Sequence, residues 1–152
     1  MSGLKIITVW DAITALSVSG LTIKDLNEVT ETWDIRGATL YPNITAPLDL
    51  QTPQRMSFGT VAGGAKKDVR YTLNYLFAYA PVGSTRGVKD IMSGMFSMLA
   101  LIFNAVTEND ALSGTVDITP RIAGSSTVIQ DPAGNSFYGL QLAFDVLEYY
   151  EV

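Results

Sequence analysis

Any chemistry performed by this chain would have to rest on carboxylates, hydroxyls and amines, because its 152 residues include no histidine and no cysteine. The missing imidazole removes the commonest general base, and the missing thiol removes cysteine nucleophiles, disulfides and thiolate metal sites. A Ser-His-Asp triad, a Cys-His pair and a histidine zinc site are therefore impossible within one chain. The closest approach to a phosphate-binding loop is Gly59-Thr60-Val61-Ala62-Gly63-Gly64-Ala65-Lys66. That motif requires Gly-Lys followed by Ser or Thr and should open a helix. Here Ala65 precedes the lysine, Lys67 follows it, and strand-like sequence lies on both sides.

Two acidic groupings remain. Asp25, Glu28, Glu31 and Asp34 recur every three residues, but no Asp-x-Asp-x-Asp-Gly loop accompanies them, so a solvated acidic edge is expected. Asp145, Glu148 and Glu151 could supply the paired carboxylates of glycoside hydrolysis. They crowd one terminal strand with no aromatic cleft implied. Asn43-Ile44-Thr45 matches a glycosylation sequon, which carries no weight without a secretory signal. No enzyme activity and no cofactor or metal is expected.

Composition points to assembly. Apolar residues make up 47% and charged residues 16% of the chain, against a usual charged share of about 25%. So thin a charged shell suggests a surface partly covered by neighbours. With 15 acids against 10 bases the net charge is −5, which gives no basic footprint for phosphate contacts. Met1-Ser2-Gly3-Leu4-Lys5 runs directly into an amphipathic pattern, and the most apolar stretch, Met95 to Val106, falls short of the ~20 residues that cross a bilayer. A soluble protein folded in a cytoplasm is expected.

The elements that would position these residues follow from periodicity. Ile6, Val9, Trp10, Ile13 and Leu16 share one helical face, closed by Ser19-Gly20. Residues 27–37 read as loop or irregular strand. Gly37 to Ile44 is strand-like, and Pro42 assigns it to an edge or a bulge. Residues 45–54, with Pro47 and Pro53, read as an excursion. Arg55 to Val61, a turn over 62–67, and the alternation Val69, Tyr71, Leu73, Tyr75, Phe77, Tyr79 predict a long β-hairpin. A helix from about Thr85 carries the stripe Val88, Ile91, Met92, Met95, Met98, Leu99, Ile102, Phe103 and Val106. Short strands are expected at 114–118 and 126–130, separated by Pro120 and Gly124. After the turn Asp131-Pro132-Ala133-Gly134-Asn135, a last strand keeps Tyr138, Leu140, Leu142, Phe144, Val146 and Tyr150 on one face, with Glu148 as the exception. The fold predicted is a single α+β domain over 1–152: an antiparallel or mixed sheet with a long β-hairpin and two main helices packed on it.

This order resembles the tail terminator proteins of long-tailed, siphovirus-like bacteriophages. The resemblance is carried by the opening helix Ile6–Leu16 and the proline-bearing Ala38-Thr39-Leu40-Tyr41-Pro42-Asn43-Ile44. It extends through the alternating strand Val69–Ala80 and the helix near Thr85–Val106. It ends in the aromatic-acidic run Phe144-Asp145-Val146-Leu147-Glu148-Tyr149-Tyr150-Glu151. Residues 27–37 and 45–54 have no counterpart in it.

The resemblance implies a structural virion protein of the neck, made in the host cytoplasm. It would form a homo-oligomeric, hexameric ring that caps the tail tube and joins it to the head connector. The implied partners are further copies of itself, the tail tube protein and a head-tail connector or head-completion protein. DNA would pass through the lumen without sequence-specific binding, and no membrane is involved. The hairpin tip, Gly63 to Lys67, is expected to touch a neighbour through Gly63, Gly64, Lys66 and Lys67. Arg70, Trp33, Tyr41, Glu148 and Glu151 complete the interface expected. Alternatives are a head-completion protein, a tail tube subunit, or a non-viral ligand-binding α+β domain with a concave pocket.

Overall fold

The structure, a computed structural model, describes residues 5–35, 37–51, 56–57, 66–83, 87–108, 116–123 and 128–151. Helix α1 (Ile6–Thr14) leads into β1 (Leu21–Ile23), a 3-10 turn (Leu26–Glu28) and β2 (Ala38–Pro42). Then follow β3 (Leu48–Gln51), β4 (Met56–Ser57), β5 (Lys66–Pro81), α2 (Val88–Glu108), β6 (Val116–Ala123), β7 (Val128–Gln130) and β8 (Ser136–Glu151).

The eight strands among the described residues belong to one sheet whose spine is the antiparallel pair β5 and β8, each 16 residues long. The far edge of β5 is occupied in succession by β2, β3 and β4, and the far edge of β8 by β7 and β6. β1 adds a parallel pairing outside β2, so the sheet is mixed and the fold is α+β with two helices. The strict alternation of β5 is what one covered face requires, because successive side chains point to opposite sides. Val69, Tyr71, Leu73, Tyr75 and Phe77 are buried with Leu140, Leu142, Phe144 and Val146 of β8. The helices close that face with Val9, Trp10 and Ile13 of α1 and Met95, Leu99, Ile102 and Val106 of α2. Trp10 stacks on Tyr75 at 5.2 Å, and Tyr75 meets Phe144 edge-on at 5.3 Å.

Three expectations need correction. The strand holding Pro42 is not at an edge but lies between β1 and β5. The Leu40 carbonyl accepts from the Lys24 N–H on the β1 side. Pro42, two residues on, faces that same side beyond the last β1 pair, Ile23 with Leu40, so its missing N–H forfeits no ladder bond. The excursion over 45–54 contains β3, whose Leu48-Asp49-Leu50-Gln51 pairs with Leu73 to Arg70. Pro120 does not separate two strands but lies inside β6, opposite Phe144. The register turns the backbone groups of Thr119 and Arg121 toward β8 and those of Pro120 outward, where a proline is tolerated. The apolar stretch 95–106 lies within Lys89–Glu108 of α2, which is long and apolar enough to cross a membrane by length and composition. Its stripe of Ile91, Met95, Leu99, Ile102 and Val106 is buried, and most of it joins the sheet core. Residues 58–65, 84–86, 109–115 and 124–127, which hold the hairpin tip and parts of the predicted strands, lie outside the described residues.

One end of the opposite sheet face is also covered. Trp33, Tyr41, Ala78, Ile129 and Phe137 form a second cluster, with Val29, Ile35 and Leu76 packed against it. Residues 29–35 thus act as a strap over the sheet. At the same end the β5–β8 register slips at Tyr79, between the pairs Ala78 with Gly139 and Ala80 with Tyr138. Gly139 sits at this bulge, and a Cβ there would collide with the Phe77 carbonyl and crowd Ile129. Backbone cannot step aside as a flexible side chain can. Gly139→Ala is therefore expected to destabilise by about 1–3 kcal/mol, the usual range for forced overpacking, as urea unfolding followed by tryptophan fluorescence would measure.

Candidate interaction surfaces

Glu148, the odd acid on an apolar face, is 3% exposed. Strand parity carries it onto the helix-covered side, directly beside the start of α1. Both its oxygens accept the Lys5 backbone N–H, at 2.9 and 3.0 Å, and Oε2 also accepts the Tyr71 hydroxyl at 2.6 Å. Lys5 is the N-cap of α1, and its side chain makes no capping bond. A carboxylate from a strand 143 residues away therefore supplies the cap, where helix N-terminal N–H groups and dipole both favour a negative charge. Burial, the hydrogen bond to Glu148 and the carboxylate's charge all push the Tyr71 phenol above the ordinary tyrosine range. Tyr71 is thus held as a donor.

Asp131 performs the same service for the strap. It is 4% exposed, and its Oδ2 accepts the Trp33 N–H at 3.1 Å and the Asn135 side-chain amide at 2.9 Å. Its Oδ1 takes the Asn135 backbone N–H at 2.8 Å. Burial opposes its charge, yet these donors and the Ala133 N–H outweigh that and hold its pKa below the ordinary carboxylate value. Trp33 then stacks on Tyr41, with ring centroids 4.2 Å apart and planes within 8°. Burial, followed by the charges of Asp34 and Asp131, raises the Tyr41 pKa.

The remaining part of that sheet face is open and polar. Arg70, Thr72, Thr119, Arg121 and Asp145 line a shallow groove of about 660 Å³. Arg121 Nε donates to both Asp145 oxygens at 2.9 and 2.8 Å, and Thr72 donates to Asp145 at 2.8 Å. Beside it, Asn74 donates to Asp49 and to the Ala46 carbonyl, each at 2.9 Å. Asp145 and Glu148 sit on opposite sheet faces, so they cannot flank one glycosidic bond. Of the acidic series, Asp25 and Glu28 are likewise spent locally. Asp25 and Glu28 form a capping box on the 3-10 turn, Asp25 accepts Trp10 Nε1 at 3.3 Å, and Lys24 reaches Glu28 at 3.9 Å. Among the described residues no three acidic groups gather as a metal site.

The apolar surface is more informative. Leu48 and Leu50 of β3, Ile122 of β6 and Phe96 and Leu101 of α2 are all exposed, and 28% of the apolar stretch of α2 is buried. No described strand pairs with the outer edges of β3 or β6.

Of the residues expected to meet a neighbour, Arg70 is exposed on the open face. Trp33, Tyr41 and Glu148 are buried inside the subunit, with roles in the strap and the helix cap. Their types suit an interface as well as a core, and only long-range packing separates the two. The β5–β8 register places Lys66 opposite Glu151 and Lys67 opposite Tyr150; Gly63 and Gly64 lie outside the described residues. Sequence reasoning missed Leu48 and Leu50, whose signal was the alternation Leu48-Asp49-Leu50-Gln51 between two prolines.

Removing the Glu148 carboxylate strands a buried hydroxyl and a helix-cap N–H, so Glu148→Ala is expected to cost about 2–4 kcal/mol at pH 7 in urea unfolding. The raised Tyr71 pKa means that the protonated phenol's stabilisation is complete below the unfolded value of about 10 and is lost as pH rises above it. Tyr71→Phe should therefore lower stability at pH 7 and make the alkaline decline shallower. Asp131 has the opposite sign: its contribution is present above the unfolded value of about 4 and is lost as pH falls through the lower folded value. Asp131→Ala is expected to cost about 1–3 kcal/mol at pH 7, with the gap to wild type narrowing below about pH 4 in the same titration.

No protein-family model matches the chain, and no curated protein matches it in sequence.

Proposed function

We propose that this protein is a structural subunit of a bacteriophage neck, a tail terminator whose ring caps the tail tube and meets the head connector. The observation that carries the assembly part of this reading is the apolar surface left uncovered on a thinly charged subunit. Exposed leucines on β3 lie beside an edge that pairs with no described strand, and α2 offers Phe96 and Leu101 outward. Single exposed apolar residues are ordinary, but grouped on a free edge they are a docking or aggregation surface. Support for the terminator assignment comes from the element order: an amphipathic helix, a proline-bearing strand, a long alternating strand, a long helix and a closing aromatic-acidic strand. The polar groups are consistent with such a role, since the buried carboxylates are committed to structural hydrogen bonds. The protein acts through interfaces, with copies closing a ring and one ring face copying the surface on which the next tube subunit would dock.

Light scattering on the purified protein, before and after mixing with tail-tube protein of the same virion, tests this. A closed ring, or a monomer that becomes one at the tube's end, is the result expected. Open fibres would reassign the chain as a tube subunit, and a monomer indifferent to tube protein would overturn the reading.

A further inference from the structure

The outer edges of β3 and β6, which pair with no described strand, are complementary to each other. Across one subunit the register aligns Leu50, Tyr71, Val146 and Ile118 in one row, and Leu48, Leu73, Phe144 and Pro120 in the next. Between them runs the row Asp49, Thr72, Asp145, Thr119. Three successive antiparallel pairings make β3 and β6 antiparallel, so β6 of a second copy can lie beside β3 in the ordinary antiparallel sense. The same parity turns the backbone N–H and C=O groups of Leu48 and Leu50 outward on one edge, and those of Ile118 and Ile122 outward on the other.

From this geometry we infer that β3 of one copy pairs with β6 of the next, continuing the sheet from subunit to subunit. The inference rests on the ring reading and names the surfaces that would close it. On the helix-bearing face, Leu50 would meet Ile118 and Leu48 would meet Pro120, with Ile122 beside them. Leu50 is 55% and Ile122 43% exposed in the subunit alone. On the open face the edges carry opposite charges, Asp49 on β3 and Arg121 on β6, both exposed. Continuing the register places them diagonally across the junction, within reach of long side chains. Arg121 keeps its Nε on Asp145. Pro120 removes one donor from the junction and leaves its carbonyl to accept. Because the two edges differ, the contact is head-to-tail, the type that yields rings when the rotation closes and filaments when it does not.

Engineered cysteines test this without interference, since the chain has none of its own. In one subunit Leu50 and Ile118 are three strand spacings apart, about 14 Å, beyond the ~7 Å Cα separation that a disulfide spans. Oxidised Leu50→Cys/Ile118→Cys protein, with tail-tube protein present, should run on a non-reducing gel as a ladder of multimers ending at the ring number. The pair Leu50→Cys/Phe96→Cys should give at least tenfold less. A species that scatters as a ring but yields no ladder overturns the edge pairing and leaves the ring reading standing. A protein that is monomeric with and without tube, and yields no ladder, overturns both. A ladder without end supports the pairing and overturns the closed ring. Leu50→Lys, a single exposed substitution, gives an independent check: circular dichroism should be unchanged while assembly needs at least tenfold more protein. Unchanged assembly would overturn the pairing.

Discussion

The antiparallel register of β5 with β8, running from Lys66 opposite Glu151 to Pro81 opposite Phe137, is the constraint on which everything else hangs. Two strands of this length, near 50 Å at about 3.3 Å per residue, cannot be covered by α2 alone, which spans about 30 Å. Different parts of the chain therefore share the task. α1 and α2 close one face, the 29–35 strap closes one end of the other, and short strands line both edges of the spine in turn. The two clusters coexist because they lie on opposite faces of the spine: strand alternation puts Phe77 in the first and Ala78 in the second.

Two carboxylates then tie sequence-distant segments to this spine. Glu148 holds the first turn of α1 against β8, and Asp131 holds Trp33 against the turn between β7 and β8. Each is buried and each accepts several donors, the condition under which a buried charge is tolerated. Groups that look reactive in a one-dimensional reading are thereby committed to structure. The open-face groove holds a closed Thr72–Asp145–Arg121 network whose charges answer one another. What the described residues leave unanswered is apolar surface on β3, β6 and α2 and the outer edges of β3 and β6, which pair with no described strand.

By itself the sequence determined the periodic elements. The alternation from Val69 to Tyr79, the helical stripe from Ile91 to Val106 and the alternation from Leu140 to Val146 each report one buried face, and burial is a local pattern that neighbours in sequence share. The lack of histidine and cysteine settled equally plainly which side-chain chemistries are closed to the chain. Tertiary structure decided what depends on partners far away in sequence. Pro42 and Pro120 each mark a backbone position without a donor, but which side of the strand that position faces depends on register with β5 and β8. Whether Trp33, Tyr41 and Glu148 are contacts for a neighbour or pieces of the core turned on pairings across as many as 143 residues. A four-residue strand such as β3 carries too little periodicity to announce itself, and it exists because β5 offers an edge long enough to hold it.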